Sequence, residues 1–117
     1  MKPRIFRALL VAAIATLAMA QTPIYTAADA AKHVGEIATI TDKVNSVHQS
    51  ERGNIFLNMG NQNPNQILTA FIPSSIAHDF PNPQQYEGKT VAVSGKITMS
   101  HGKPEIIVSN VSQISIK

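Results

Sequence analysis

Between residues 90 and 99 the chain alternates. Val91, Val93, Ile97 and Met99 are apolar, Thr90, Ala92, Ser94, Lys96 and Thr98 fall between them, and Gly95 takes one place in the apolar row. Period-two alternation marks a strand with one buried face. A Gly in the inward row marks a sharp bend or a close backbone approach, as at a barrel corner. A second β-like run covers residues 36–49, where Ile37, Thr39, Ile40, Thr41, Val44 and Val47 dominate. Its apolar parity is even at Ala38, Ile40 and Val44 but odd at Val47. A strand that keeps one face buried changes parity only through a bulge or a strong bend. Residues 42–45 are the expected place, because Asp42 and Asn45 tolerate unusual backbone angles.

The remaining punctuation yields three more strands. Ser50-Glu51-Arg52-Gly53-Asn54 reads as a turn, followed by a strand over 55–59 with Ile55, Leu57 and Met59 inward and Phe56 and Asn58 outward. A polar turn over 61–65 leads to a strand over 67–72. Residues 73–80 read as a short helical turn, and Pro81, Pro83 and Gly88 punctuate the connection beyond it, with Tyr86 expected to plug one end of the core. His101-Gly102-Lys103-Pro104 reads as a hairpin turn. Glu105-Ile106-Ile107-Val108 opens the fifth strand, and Val111, Ile114 and Ile116 carry its apolar pattern onward. Before the first strand, Thr26 is placed to cap a short helix, Asp29 suits its first turn and Gly35 stops it. The predicted class is therefore all-β with short helices. Five strands with a helical piece between the third and fourth match a five-stranded Greek-key barrel, the OB-fold. A β-sandwich wants about seven strands and fits less well.

Charge changes meaning once the N-terminus is considered. Lys2, Arg4 and Arg7 precede an apolar stretch over 8–15 that continues to Leu17, and Ala18-Met19-Ala20 follows. A basic start, a short apolar core and an Ala-x-Ala exit are the parts of a secretory signal peptide. The expectation is a leader over 1–20, cleaved after Ala20, and one domain over 21–117, in the periplasm or secreted. The stretch is too short to span a bilayer comfortably, so no stable membrane insertion is expected after cleavage. The whole chain has ten Lys and Arg against seven Asp and Glu, a net charge of +3. Without the leader, seven cations face seven acids. The basic pI belongs to the leader, and the scattered cations that remain do not form the clustered Lys and Arg on which phosphate binding mainly relies. With no Cys, the domain holds by packing alone and has no thiol chemistry.

Several strings, taken together, resemble exported bacterial OB-fold domains of the nucleic-acid-binding-like kind. They are Val34-Gly35-Glu36, Val44-x-x-Val47, the run 54–60 (Asn-Ile-Phe-Leu-Asn-Met-Gly), the run from Tyr86-Glu87-Gly88-Lys89-Thr90-Val91 through Gly95-Lys96-Ile97, and Gly102-Lys103-Pro104-Glu105-Ile106. These residues build strands and turns, so the resemblance speaks for fold more than for function. It implies weak binding of single-stranded nucleic acid or oligonucleotide. Small periplasmic stress-associated OB proteins are similar in architecture but share fewer of the strings.

OB domains generally bind across their second and third strands, between the first-to-second and fourth-to-fifth loops. Here that surface would offer Arg52, Asn54, Phe56, Asn58, Thr69, Phe71, His101 and Lys103. Phe56 would stack on a base, and Arg52 and Lys103 would meet phosphates. The plainer roles are core or edge packing for Phe56 and Phe71 and solubilising loop charge for Arg52 and Lys103.

The chemistry that the pattern leaves out is broader. His33, His48, His78 and His101 share no local ligand spacing, and the Asn residues at 58, 61, 63 and 65 are neutral, so no metal and no cofactor is expected. There is no Gly-x-Ser-x-Gly elbow and no phosphate-cradling Gly-rich loop, so the chain reads as a non-enzyme. Two functions stay open. One is a weak single-stranded nucleic-acid binder. The other is a module that meets a periplasmic protein, a peptide or envelope glycan, or that supports stress tolerance, without nucleic acid.

Overall fold

The computed structural model describes residues 21–61, 63 and 65–117. The leader expected over 1–20 lies outside the described residues. Among the described residues seven strands run in the order β1 (Ile24–Tyr25), β2 (Ile37–Gln49), β3 (Ile55–Met59), β4 (Leu68–Ile72), β5 (Thr90–Ser100), β6 (Lys103–Ile107) and β7 (Ile114–Ile116). Five of them close a ring, β2-β3-β4-β6-β5, because β2 also pairs with β5. All contacts in the ring are antiparallel except β4–β6, which is parallel. This is the expected OB barrel.

Closure depends on the 13-residue β2. Its first half, through Lys43, pairs with β5, and its second half, from Val44, pairs with β3. The register slips between Val44 and Ser46, inside the segment where the parity change required a bulge. Neighbours fasten the bend: Gly88 N donates to Val44 O at 2.7 Å, and Val44 N donates to Lys89 O at 2.9 Å. Asp42 serves it too, accepting from Ala27 N at 2.9 Å and from Lys43 N at 2.8 Å.

Period-two alternation then fills the inside. Ile40, Val44, Ile55, Leu57, Met59, Leu68, Ile72, Val91, Val93, Ile97 and Ile106 are fully buried, and Phe80 closes one end. Tyr86 packs against the same core. Met99 departs from expectation: it continues the inward parity but is 50% exposed. It is the last but one residue of β5 and lies three residues past Lys96, the last to pair with β2.

Gly95 is where β5 turns. Its φ is +154°, and a Cβ there would lie 2.8 Å from Ile106 Cγ2. The β5–β6 turn is shorter than the four-residue one expected. His101 (φ 52°) and Gly102 (φ 78°) form a two-residue turn, and Lys103 already pairs with Ser100. Two left-handed residues in succession match the right-handed twist of the flanking strands, as in a type I′ hairpin.

Three further details depart from the sequence reading. The N-terminal helix, Ala27–Lys32, is a 3-10 helix, and the Thr26 side chain does not cap its backbone. The Thr26 hydroxyl donates to Asp29 Oδ2 instead, at 3.3 Å. The apolar pattern beyond Ile107 does not continue the fifth strand. The chain forms a 3-10 turn at Val111–Gln113, leaving Val111 exposed, and returns as β7 against β5. Finally, β1 lies parallel to β2, with Thr39 N donating to Pro23 O at 2.9 Å.

A small polar cluster holds β1. The Tyr25 hydroxyl donates to Glu36 Oε1 at 2.7 Å, and His33 Nδ1 meets Glu36 Oε2 at 2.7 Å. The Tyr25 and His33 rings stack at 3.8 Å and 6°. The Tyr25 hydroxyl, then His33, holds the Glu36 carboxyl below the usual carboxylate range.

Two outcomes are expected. Gly95→Ala places a methyl against Ile106 in a backbone region that L residues avoid. It should cost about 1–3 kcal/mol of stability, read as a lower urea midpoint at unchanged slope. Glu36 has a depressed folded pKa, so its contribution is present above the ordinary carboxylate range and is lost as pH falls through the folded value. The protection factor of the Thr39 amide should therefore fall on acidification in the native protein. In Glu36→Gln it should already be reduced at neutral pH and change little with acid.

Candidate functional site

The outer face of β3 and β4 is organised by register. Alternation sends Ile55, Leu57 and Met59 inward, so Phe56 and Asn58 face out, and on β4 Thr69 and Phe71 do the same. Cross-strand pairing extends each residue into a row. One row runs His48, Phe56, Phe71, Ile107 across β2, β3, β4 and β6. The other runs Ser46, Asn58, Thr69, Glu105, Thr98, reaching β5. An apolar, largely aromatic stripe therefore lies beside a polar one.

The aromatic row is in contact along its length. His48 and Phe56 have ring centroids 5.8 Å apart at 29°, and Phe56 and Phe71 are 5.2 Å apart at 55°. Such offset and tilted pairs are favoured by the ring quadrupole. Both Phe rings are half-buried, so one face of the stripe remains open.

The polar row is bonded internally. Asn58 Nδ2 donates to Ser46 Oγ at 3.1 Å, the Thr69 hydroxyl donates to Asn58 Oδ1 at 3.3 Å, and the Thr98 hydroxyl donates to Glu105 O at 3.0 Å. Asn58 was expected to face out, and it does, but it is only 4% exposed, and Thr69 is 8% exposed. Flanking side chains and the two bonds cover the amide. Burial pushes the Glu105 carboxyl up, opposed in part by the charge of His101. Among the described residues no ion pair neutralises Glu105.

The aromatic row and the Asn58, Thr69 and Glu105 members of the polar row line an open groove of about 750 Å³. Of the eight residues picked from the sequence, Phe56, Asn58, Thr69, Phe71, His101 and Lys103 line it. Arg52 and Asn54 do not. Arg52 is exposed on its turn, outside the lining. Asn54 is a joint: its Oδ1 accepts from Ser74 N at 2.8 Å and its N donates to Ser50 Oγ at 3.1 Å.

Sequence reading missed His48, Ser50, Asn63, Gln66, Ser100, Pro104, Glu105 and Ile107. The bulge gave a signal for His48, since it moves the later even positions outward. Glu105 and Ile107 alternate with buried Ile106, but their place beside Thr69 and Phe71 comes from the parallel β4–β6 pairing, which leaves no local mark. Gln66 lines the groove with its Oε1 buried and without a hydrogen-bond partner.

Among the described residues no group of three or more His, Cys, Asp or Glu is placed to hold a metal ion. No helix among them is long and apolar enough to cross a membrane.

Comparison with known proteins places the fold. No protein-family model matches the chain, and no curated protein matches it. Solved structures do. An OBody, AM1L10, bound to hen egg-white lysozyme is similar at a TM-score of 0.58 and 15% identity, over 86% of this chain and 98% of that one. A putative aspartyl-tRNA synthetase from Leishmania major Friedlin is similar at 0.53 and 13%, over 93% of this chain. Aspartyl tRNA synthetase from Entamoeba histolytica is similar at 0.50 and 16%, over 73%. This chain spans 25% and 19% of those two synthetase chains. At such identities the likeness establishes the barrel architecture alone.

The buried amide offers a direct test. Asn58→Ala leaves the Thr69 hydroxyl without an acceptor and Ser46 without a donor in a covered position. It should lower stability by about 1–3 kcal/mol. Arg52→Ala, on the exposed turn, should shift stability by no more than about 0.5 kcal/mol. Urea unfolding of the two variants checks both.

Proposed function

We propose that this chain is a non-enzymatic OB-fold binding module that holds a short single strand of nucleic acid weakly across β3 and β4. The observation that carries this reading is the aromatic row His48–Phe56–Phe71, lying open on the barrel's outer face between the 50–54 turn and the β5–β6 hairpin. Base stacking on such rings is worth about 1–3 kcal/mol per base and tolerates many sequences. Two of the similar folds belong to proteins named as tRNA synthetases, which agrees with this use of the barrel. The resemblance to exported OB domains supports the same role, carried out in the periplasm or outside the cell after cleavage at Ala20.

Stacking, not charge, supplies the affinity. Among the described residues Lys103 is the only Lys or Arg in the groove lining, Glu105 opposes it there, and Arg52 stands outside the lining. With two phosphates met at most, log K should fall with log salt at a slope of about −1.4 or shallower for a single strand.

A second reading has its own observation. The groove holds an unneutralised carboxylate at Glu105 and a half-exposed Ile107, features that suit a protein surface. One similar fold, the OBody, is bound to a protein. A periplasmic protein is the partner in that case.

Fluorescence anisotropy with a labelled single-stranded oligonucleotide decides between them. The expected result is weak binding at low salt with the shallow slope above. Phe71→Ala should weaken it by about 1–3 kcal/mol, roughly 5- to 150-fold. Absence of binding at low salt, where phosphate contacts are strongest, overturns the nucleic-acid reading and leaves the protein partner.

A further inference from the structure

The hydrogen-bond inventory of the polar row carries a consequence for which ligand fits, resting on the single-strand reading above. Asn58 has one amide hydrogen on Ser46 Oγ, and that bond fixes its NH2 group at the Ser46 end of the row. The Thr69 hydroxyl proton is spent on Asn58 Oδ1 and the Thr98 hydroxyl proton on the Glu105 main-chain oxygen. An ionised carboxylate donates nothing. The β4–β6 end of the row therefore presents acceptors: the lone pairs of Thr69 Oγ1 and both oxygens of Glu105. Gln66 Oε1, also at the groove, lacks a donor as well.

Register fixes where a stacked ring would sit. Phe71 lies two residues beyond Thr69 on β4 and pairs with Ile107, which lies two residues beyond Glu105 on β6. On one face of a strand, two residues is a single side-chain step. A planar ring resting on Phe71 and Ile107 therefore has its edge beside Thr69 and Glu105.

We infer that Thr69 and Glu105 make this groove select bases that carry an exocyclic amino group, cytosine, adenine or guanine, over thymine or uracil, which carry none. That amino group supplies a donor to Thr69 Oγ1 and the Glu105 carboxylate, which themselves offer only acceptors. Thymine and uracil flank their single N–H with two carbonyl oxygens, and one of those oxygens would face the carboxylate. A carboxylate accepting from the cytosine amino group is a known base contact, and side-chain readout of this kind discriminates by about 1–3 kcal/mol.

Cytosine against thymine is the deciding comparison, because both are pyrimidines and adenine stacks more strongly whatever its edge meets. Labelled oligo(dC) and oligo(dT) of equal length carry equal phosphate charge. They are titrated by anisotropy against the protein at low salt and slightly alkaline pH, where cytosine N3 carries no proton. The expected result is oligo(dC) binding at least about fivefold more tightly. In Glu105→Gln the gap should close to less than twofold, in part because oligo(dT) gains: the new amide brings a donor for the thymine carbonyl. This variant is expected to fold, since it removes a charge that the fold buries at a cost. Circular dichroism checks it.

Equal binding of the two oligonucleotides overturns the selection while leaving the stacking groove standing. A preference that survives Glu105→Gln overturns the assignment to Glu105. No binding of either oligonucleotide at low salt overturns the groove reading and this inference together.

Discussion

The parity change in β2 is the constraint on which both the barrel and the groove depend. Up to Val44 the even positions Ala38, Ile40 and Val44 point into the core. After the register slip between Val44 and Ser46, Val47 packs against the core and the even positions 46 and 48 turn outward. One irregularity thus does two things. It bends a single strand so that its halves pair with β5 and with β3, closing the ring. It also delivers Ser46 and His48 to the outer face, where they head the polar and aromatic rows. Without it, a β2 kept in phase would point both side chains into a core already filled by Ile55, Leu57 and Met59. Asp42 ties the N-terminal 3-10 helix to the same bend, so the end cap of the barrel and the edge of the groove share an anchor.

The polar row shows how a face can be covered and still carry specificity. An amide as buried as Asn58 costs free energy unless its hydrogen bonds are made. Its neighbours across the strands, Ser46 and Thr69, supply them. Satisfying Asn58 consumes the Thr69 proton, and that leaves Thr69 an acceptor beside the Glu105 carboxylate. The electrostatics agree with this. A groove with one lining cation and one half-buried, unpaired carboxylate has little hold on a phosphate backbone, so discrimination between ligands falls to ring faces and to the hydrogen-bonding edge.

Much of the barrel was legible because its strands are amphipathic. The inward rows at 55–59 and 91–97, the bend at 42–45 and the special role of Gly95 all follow from parity and from the steric freedom of one residue. Met99 was misjudged because alternation records only which way a side chain points. It does not record how deep in the barrel the residue lies, and Met99 sits at the end of β5. β1 was missed because two residues give no period to read, and β7 because its apolar pattern continues that of the preceding strand. At the site, Phe56, Thr69 and Phe71 were legible as outward residues of β3 and β4. Asn54 was drawn to structural work by its contact with Ser74, which is 20 residues away in sequence. Glu105 is the instructive omission. Three apolar residues in a row follow it and show no alternation, and its position opposite Thr69 arises from a parallel pairing between strands more than 30 residues apart.

The rims of the groove bear on how binding energy is used. On one side, Ser50 O accepts from Gly53 N, Ser50 N donates to Asn54 O, and Asn54 pins the turn to Ser74. On the other, the two-residue turn at His101 and Gly102 has no slack, and Ser100 Oγ lies 3.0 Å from His101 Nδ1. A non-glycine residue in the left-handed region costs roughly 1–2 kcal/mol. The fold accepts that cost at His101, where the ring lines the groove and its charge acts on Glu105. Both loops are therefore held by short-range bonds before any ligand arrives, and little ordering entropy remains to be lost on binding. A groove already shaped in this way can use a few contacts efficiently. Two rings and one acceptor edge then suffice to hold a small planar group, even though the surface lacks the clustered cations of a strong nucleic-acid binder.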